Sequence, residues 1–401
     1  MVEASWAVAA HRFQTWYSQC LSGDLWYPPR LNRRELMFQT WAGNRYDRHI
    51  GVSNQIHAHG LFTRLAPKSA FYSTAYYDDP TARKMADKGW RGADLVFDLD
   101  GDHLAHVDPF DFPDMMDIIQ EQAFSLWNDF LEPEFGFTEQ HLHITFSGHR
   151  GFHLHYRQPD LLQLDSHARR ELVNYIRGLG VEMNLTTKGD ALGWHRRLSN
   201  GSSEMVNKLR IIDAGGDEGR AMLKQLKAVF EERKKAPACK VSSLGVEKIK
   251  AMAEFVSQGT RGDKIASGIY GALSNKYQAP FIELVRGDTS VILGSAGETD
   301  EAVTVDTKRQ IRWPNSLNGK SGMQVTTFGL ERLDPSGSNR YDALVEALPK
   351  FEPSNRRLEV CVDRCVIKVG EECLELAMGD VIDADVNTDT FLSLKGWATP
   401  I

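Results

Sequence analysis

Two segments in which apolar and polar residues alternate constrain the fold more than any other feature of the sequence. In residues 93–100, apolar side chains alternate with mostly acidic ones, and this period of two is typical of a β-strand. Residues 141–146 alternate in the same way, which places His141 and His143 together on a strand face rather than in a metal site. A turn with glycines at residues 147–151 leads into a further alternating strand.

Helical periodicity follows the first of these strands and dominates the middle of the chain. One helix is predicted around residues 115–130, with Pro113 near its start, and another is predicted to be capped by Ser166. Residues 217–236 and 246–256 each carry apolar residues at helical spacing. These last two segments predict a helical insertion rather than further strands.

The order of these elements predicts an α+β fold in which mixed sheets are flanked by helices. We predict that residues 1–180 and 260–345 form a discontinuous catalytic core, and that residues 181–259 form a mainly helical insertion. Short β-like runs further along the chain predict a small β-rich accessory unit over residues 346–401.

The composition is that of an ordinary globular protein. The 401 residues are 42% hydrophobic and 25% charged, which excludes disordered, collagen-like and coiled-coil chains and suggests two or three structural units. No apolar run approaches the ~18 residues of a membrane-spanning helix, and the first residues lack the layout of a secretory signal. Five scattered cysteines without a Cys-x-x-Cys pair disfavour a disulfide scaffold, so we expect a cytoplasmic protein.

Charge is strongly segregated along the chain, although the net charge is only −7. Residues 92–149 contain nine Asp and four Glu but no Lys or Arg, whereas residues 30–68 contain seven Lys or Arg against two acidic residues. Acid in one region and base in another suits a metal-dependent enzyme that acts on a polyanion. Solvated acidic loops and a basic face that arose by chance are the alternative on charge alone.

Asp98 and Asp100 carry the first chemical signal. Because they lie two residues apart on one strand, their carboxylates project from the same face, about 7 Å apart at the backbone. Such a pair can bridge Mg²⁺ or Mn²⁺ ions, which take oxygen ligands and leave positions for phosphate oxygens. An exposed strand end is the simpler alternative. The segment also resembles the nucleophile motif of haloacid-dehalogenase-type phosphatases, in which Asp98 would be phosphorylated.

A second constellation follows at residues 147–153. Its two glycines let backbone N–H groups approach a phosphate, the Ser147 hydroxyl can donate, and the Arg150 guanidinium can bind phosphate oxygens through two N–H groups. A lone His153 would more often be structural, but beside Arg150 and opposite the acidic pair it predicts a phosphate contact.

Together these motifs resemble the catalytic small subunit of the archaeal and eukaryotic type of DNA primase, and the accompanying residues resemble the archaeal branch. Four groups of residues carry the resemblance over most of the first 330 positions: Arg34-Glu35 with Arg48-His49, residues 71–100, residues 146–153 and residues 299–317. A D-x-D pair alone is a weak signal. Followed by S-G-x-R-G-x-H and a late D-x-x-V-T, it is a strong one.

The resemblance implies the fold of the archaeal and eukaryotic primase core and a role for each matching residue. Asp98, Asp100 and Asp300 would be the catalytic carboxylates that bind two Mg²⁺ or Mn²⁺ ions. The nucleotide-binding residues that it implies are Ser147, Arg150, His153, Arg312, Glu35 and Arg48. Asp306 is the nearest alternative to Asp300, which is preferred because it stands 14 residues before Pro314, as in the family.

Two features depart from the family pattern. Asn318 stands where the family has a histidine, so this side chain can form hydrogen bonds but cannot carry a positive charge. Many relatives also carry a cysteine-rich zinc segment after the D-x-D pair, whereas residues 102–137 contain no cysteine, only His103, His106 and acidic residues. Zinc is therefore disfavoured there, since structural zinc sites prefer thiolates.

The activity that the resemblance implies is synthesis of short RNA primers, with DNA primers as a variant, on single-stranded DNA from nucleoside triphosphates. It also implies a primase large subunit as partner and a place in the replication machinery, with no membrane attachment. The template is expected to contact the basic residues 30–68 and the helical insertion through its phosphates. Two alternatives remain: a phosphatase with Asp98 as nucleophile, and a non-catalytic nucleic-acid-binding subunit that kept the fold.

Overall fold

The computed structural model describes residues 2–101, 108–176, 193–235, 239–289 and 303–401. Helices and antiparallel sheets are mixed along these ranges, which confirms the predicted α+β class. Two four-stranded sheets form the part of the molecule that contains the predicted site residues within the described ranges.

The first sheet lies in the N-terminal part of the chain. Its elements are the helices α1 (Val2–Gln19) and α2 (Gln55–Leu65) and the strands β1 (Leu36–Gln39), β2 (Tyr46–Ile50) and β3 (Ser69–Ser73). Aromatic side chains dominate the core between them, including Phe13, Tyr17, Phe38 and Phe62. A hairpin of β4 (Ala75–Tyr77) and β5 (Trp90–Ala93) then leads into the second sheet.

The second sheet contains the three strands that the alternating patterns predict. They are β6 (Leu95–Asp100), β7 (Leu142–Phe146) and β8 (Gly151–Tyr156), and β8 pairs antiparallel with both of the others. Every residue of β8 is buried because α3 (Phe112–Leu126) packs on it and α4 (Ser166–Ile176) adds apolar side chains to the same core. The strand predictions are confirmed.

Helices make up the next part of the described chain. They are α5 (Gly193–Ala214), α6 (Gly216–Arg233), α7 (Val246–Ser257), α8 (Arg261–Ala266) and α9 (Asn275–Thr289). All five contribute to one apolar cluster of their own, so the helical unit continues beyond the predicted boundary at residue 259. No helix in the described ranges has the length and apolar character to cross a membrane.

The remaining strands complete the two sheets and form a C-terminal unit. Strand β9 (Gln310–Arg312) pairs with β3, and β10 (Thr327–Phe328) pairs with β7. After α10 (Ala343–Glu346) come β11 (Asn355–Val360), β12 (Arg364–Val369), β13 (Glu372–Ala377), β14 (Val381–Asp385), α11 (Val386–Lys395) and β15 (Ala398–Pro400).

The C-terminal unit shares its core with the second sheet. Leu358, Ile367 and Phe391 belong to the same buried cluster as the apolar residues of β6 and β8. An ion pair of 2.7 Å between Arg12 of α1 and the buried Asp389 of α11 joins the two ends of the described chain. The unit is therefore packed into the body of the molecule.

Two local expectations differ from the structure. The cap of α4 is Asp165, whose Oδ1 accepts the N–H of Ala168, so the prediction that Ser166 caps this helix is wrong. The helix predicted over 115–130 ends in a π-helical turn from residue 127.

Candidate active site

The two carboxylates of the D-x-D pair lie at the end of β6, against β8. Asp98 is paired with His153 in the sheet register, and its Oδ1 lies 3.3 Å from His153 Nε2. Asp100 is paired with Gly151, and its Oδ1 lies 3.4 Å from Arg150 Nε. The antiparallel register thus places the acidic pair of one motif directly beside the phosphate-binding candidates of the other.

The surroundings shift the pKa values of the two carboxyl groups in opposite directions. Burial disfavours the charged form of Asp98, but His153 and two nearby arginines outweigh burial, so the pKa of Asp98 lies below its ordinary value. Burial raises the pKa of Asp100, and the neighbouring charge of Asp98 raises it further. A cation bound between them would remove the disadvantage of ionising Asp100.

The donor set at this point suits a hard divalent cation. Asp98 and Asp100 present carboxylate oxygens, the ligands that Mg²⁺ and Mn²⁺ prefer. Among the described residues no group of three or more His, Cys, Asp and Glu side chains could hold a metal ion. The third predicted ligand, Asp300, lies outside the described residues, as do His103 and His106.

The turn between β7 and β8, here called the glycine loop (residues 147–151), needs its two glycines for geometric reasons. Gly148 has a φ of +74°, and a Cβ atom there would lie 2.9 Å from that of Asn318. A Cβ atom on Gly151 would lie 2.5 Å from the carbonyl oxygen of Leu99 on β6. Ser147 Oγ accepts the Gly151 N–H at 3.2 Å, which leaves the hydroxyl hydrogen free of that bond.

Asn318, which replaces the family histidine, is buried against the glycine loop. Its Nδ2 donates to the carbonyl oxygen of Ser147 at 2.8 Å, and its Oδ1 accepts the N–H of Lys320 at 3.0 Å. The amide is therefore engaged with the backbone on both sides and joins two segments of the site. The departure from the family pattern thus has a structural role here.

Arg312 reaches the site from the first sheet. It lies on β9 with its guanidinium carbon 4.6 Å from the centre of the Phe71 ring. Burial lowers the pKa of Arg312 to about 10, against the opposing charges of Asp100 and Asp98. Within the described part of the chain, its Nη1 is a buried donor without a hydrogen-bond partner. A phosphate oxygen is an acceptor of the kind that such a donor needs.

Two lysines that the sequence motifs do not include lie in the same group of cations. Burial and nearby cations lower the pKa of both Lys320 and Lys395, in the second case to about 7. Lys395 Nζ donates to Nε2 of His149 in the glycine loop at 3.0 Å. The position of Lys320 two residues after Asn318 is a signal that could have found it, whereas Lys395 lies 246 residues from His149 in sequence.

Glu35 and Arg48 lie next to each other in the structure, and Glu35 has a second cationic partner in Lys88. The buried Glu35 carboxylate lies 3.4 Å from Arg48 Nε and 3.2 Å from the Nζ of the buried Lys88. It also accepts the backbone N–H of His49 at 3.1 Å. The ion pairs of Glu35 are thus made with its own sheet and the β4–β5 hairpin rather than with the residues around Asp98.

Only one of the two histidines expected on a strand face lies on a strand, so the prediction is wrong for His141. His143 lies on β7 and stacks on the Trp26 ring at 4.7 Å between ring centres. Burial lowers the pKa of His143 to about 3, so it is neutral. His141 lies in the turn that precedes β7.

Comparison with known proteins gives one consistent result. The sequence profile of the DNA primase small subunit matches residues 97–329, the segment that contains both motifs. The DNA primase small subunit PriS of Halorubrum lacusprofundi is 34% identical over 365 residues, which is 86% of each chain. That of Haloarcula marismortui is 32% identical over 411 residues, 99% of each chain, and that of Methanocorpusculum labreanum is 32% identical over 343 residues, 84% of this chain and 83% of its own. These matches do not favour the phosphatase or the non-catalytic alternative.

Proposed function

The chain belongs to the DNA primase small-subunit family, and from that premise we propose that it synthesises short primers on single-stranded DNA by nucleotidyl transfer from nucleoside triphosphates. The observation that carries the proposal is the meeting of an acidic pair, Asp98 and Asp100, with the glycine loop and the unsatisfied donor of Arg312. A site for metal-bound phosphates needs negative ligands and free cationic donors side by side.

In the proposed reaction, a primer 3′-hydroxyl attacks the α-phosphorus of the incoming nucleotide. A new phosphorus–oxygen bond forms, the bond to the β-phosphate breaks, and pyrophosphate leaves with the electron pair while water takes the hydroxyl proton. Asp98 and Asp100, with Asp300 as the family's third carboxylate, would hold Mg²⁺ or Mn²⁺. Bound there, these ions supply Lewis-acid stabilisation of the entering and leaving oxygens.

The chain's own cations are assigned to the triphosphate. Arg150 lies in the glycine loop with its Nε 3.4 Å from Asp100 Oδ1, and its guanidinium would bind phosphate oxygens. Arg312 and Lys320 also belong to this group of cations, since the charge of Asp100 acts on the pKa of both. These positive charges would offset the charge that develops on the departing pyrophosphate.

The partners of this proposal follow from the names of the relatives. A subunit described as small implies a primase large subunit, and primer synthesis implies a single-stranded DNA template within the replication machinery. Residues 30–68 and the helical unit α5–α9 are the proposed template contacts, through phosphates and without sequence specificity.

Primer synthesis on a single-stranded template, measured with Mg²⁺ and again with Mn²⁺, tests the function. We expect Asp98→Asn and Asp100→Asn each to lose at least about a hundredfold in nucleotide incorporation, because each removes a proposed metal ligand. Asp160→Asn, which removes an exposed carboxylate outside the site, is the matched control. Near-wild-type synthesis by either of the first two variants would refute the proposal.

A further inference from the structure

A chain of buried polar side chains runs behind Asp98 into the interior of the molecule. Tyr72, Thr145 and His155 are fully buried, and His153 is 3% exposed. Tyr72 lies on β3 of the first sheet, whereas Thr145 lies on β7 and the two histidines lie on β8 of the second sheet. This chain of side chains therefore crosses the contact between the two sheets. None of the functional roles assigned above requires Tyr72, Thr145 or His155.

The side chains follow one another at hydrogen-bonding distance. Thr145 Oγ1 lies 3.3 Å from Nδ1 of His153 and 3.4 Å from Nε2 of His155. The other nitrogen of His155, Nδ1, lies 3.5 Å from the hydroxyl of Tyr72, which accepts from Arg157 Nη2 at 3.2 Å. The opposite end of the chain is the 3.3 Å contact between His153 Nε2 and Asp98.

The two ends of the chain give it a direction. Arg157 can only donate, so the Tyr72 hydroxyl accepts from it and has its own hydrogen for His155 Nδ1. His155 then donates from Nε2 to Thr145, and Thr145 donates to Nδ1 of His153. His153 has the Nε2 hydrogen left for Asp98, which as a carboxylate can only accept.

This arrangement gives every buried hydrogen in the chain an acceptor, which the opposite direction does not. In the opposite direction the Tyr72 hydroxyl would accept from both neighbours and its own hydrogen would have no acceptor in the chain. Burial also lowers the pKa of His155 well below its ordinary value, in agreement with a neutral ring that has one donor and one acceptor nitrogen.

We propose that Thr145 and His155 are positioning residues that fix the ring of His153, with Nδ1 held by Thr145 and Nε2 directed at Asp98. The bond between Cβ and an imidazole ring has a broad, roughly two-fold rotation, so packing alone does not choose between ring orientations. The Thr145 hydroxyl favours one orientation of the His153 ring, because only that orientation places the acceptor nitrogen Nδ1 beside it. The proposal rests on the proposed function, in which His153 and Asp98 belong to the reaction site.

Thr145→Val tests the hydroxyl, since valine keeps the shape and β-branching of threonine on β7 and removes only the hydrogen bonds. We expect primer synthesis to fall about tenfold, the effect of losing one hydrogen bond that orients a reacting group. Thr145→Ser, which retains the hydroxyl, should recover most of that loss. The thermal midpoint and the template Kd of both variants show whether they are folded.

The double variant Thr145→Val with His153→Ala distinguishes positioning from a merely structural role. If Thr145 acts through His153, the double variant should be no less active than His153→Ala alone. A further loss of several-fold in the double variant, or wild-type activity of Thr145→Val, would overturn the proposal. Should Thr145→Val fail to fold, Tyr72→Phe interrupts the same chain by removing one hydroxyl, and the same cycle with His153→Ala applies.

Failure of the proposed function gives a different result. Wild-type activity of His153→Ala would remove His153 from the reaction site and contradict its assignment there. An inactive His153→Ala together with a fully active Thr145→Val would overturn the positioning proposal alone.

Discussion

Asp98 and Asp100 show how two identical side chains on one strand face acquire different properties. Asp98 is compensated by His153 and two arginines, whereas Asp100 is the carboxylate whose ionisation burial and its neighbour oppose. The difference predicts opposite effects on stability when each charge is removed. In metal-free buffer at pH 7.5, we expect Asp98→Asn to unfold at a lower temperature than wild type and Asp100→Asn to unfold at the same or a higher temperature.

The pH dependence fixes the sign of these two effects. Because the pKa of Asp98 is lowered by folding, its ionised form stabilises the protein at every pH above the ordinary pKa of an aspartate. This contribution is lost as the pH falls through the folded-state pKa. The raised pKa of Asp100 opposes folding above that pKa, and the opposition disappears as the pH falls to the ordinary value. Thermal unfolding in metal-free buffer from pH 7.5 down to below pH 3 measures both, because the Asp98 contribution is lost only below the ordinary carboxyl pKa. A stabilising Asp98→Asn at pH 7.5 would contradict the interpretation.

Arg312 is expected to be needed for nucleotide binding rather than for stability. Its buried Nη1 lacks a partner among the described residues, so Arg312→Gln should leave the thermal midpoint unchanged or raise it. The nucleotide KM should rise at least about tenfold, because a charge-assisted contact to phosphate is lost. The template Kd should stay constant, and Arg83→Gln, an exposed arginine in another loop, is the control. Equal weakening of template and nucleotide binding would make Arg312 a template contact instead.

At the scale of elements, the close approach of β6 and β8 predicts an intolerance of any side chain at Gly151. A methyl group there would lie 2.5 Å from a backbone oxygen of β6, which cannot move without breaking the pairing that places Asp100. We expect Gly151→Ala to lower the free energy of unfolding by about 2–4 kcal/mol, in the range of strongly destabilising single substitutions. Chemical denaturation with a constant m-value measures this change.

Gly60 provides the matched control for that substitution. It lies within α2, and a Cβ atom there meets nothing within 4 Å. Gly60→Ala should stabilise the protein by about 0.5–1 kcal/mol, since alanine restricts the unfolded chain and favours helix. A destabilising effect of Gly60→Ala as large as that of Gly151→Ala would show that the close contact at β6 is not the cause.

Local pattern was enough to predict the elements that carry the motifs. The strands β6, β7 and β8 follow a period of two because one face of each packs into the same apolar cluster while the other carries mostly polar side chains. The helices α6 and α7 carry continuous apolar stripes. The turn of the glycine loop was predictable because its glycines, serine and arginine all lie within seven positions of the sequence.

At the scale of the whole molecule, tertiary packing brings residues to the site that no local sequence pattern predicts. Arg312 comes from the other sheet and Lys395 from the C-terminal unit, and no local pattern connects either with the glycine loop. Arg312 was predicted only through the family resemblance, whereas Lys395 was not predicted at all. The C-terminal unit also contributes to the core beneath the active strands, which a reading of its separate β-like runs does not indicate.

Because Lys395 of the C-terminal unit contacts the glycine loop, we expect this unit to affect nucleotide binding. Its ammonium group lies between the rings of Phe112 and Trp397, 4.6 and 4.9 Å from their centres, and holds His149 of the glycine loop. Lys395→Met should raise the nucleotide Kd about threefold to tenfold, while Lys350→Met, an exposed lysine, should leave it unchanged.

The effect of Lys395→Met should also depend on pH. The pKa of Lys395 is lowered to about 7, so its ammonium is present at pH 6 and largely lost at pH 8.5 in the nucleotide-free protein. The ratio of variant to wild-type Kd is expected to be larger at pH 6 than at pH 8.5. Isothermal titration calorimetry at both values measures it, and a ratio of one at pH 6 would remove Lys395 from the site.

The ion pair between Arg12 and Asp389 has a consequence for folding during synthesis on the ribosome. The two residues are 377 positions apart, and at ~5–20 residues per second the helix that carries Asp389 is made roughly 20–75 s after the one that carries Arg12. During that interval α1 can pack on α2 and β1, but Arg12 lacks its partner on α11, and the core beneath the second sheet lacks the residues that the C-terminal unit supplies. The nascent chain thus spends most of its synthesis as an incomplete fold that chaperones can recognise, and the shared core is complete only once α11 has been made.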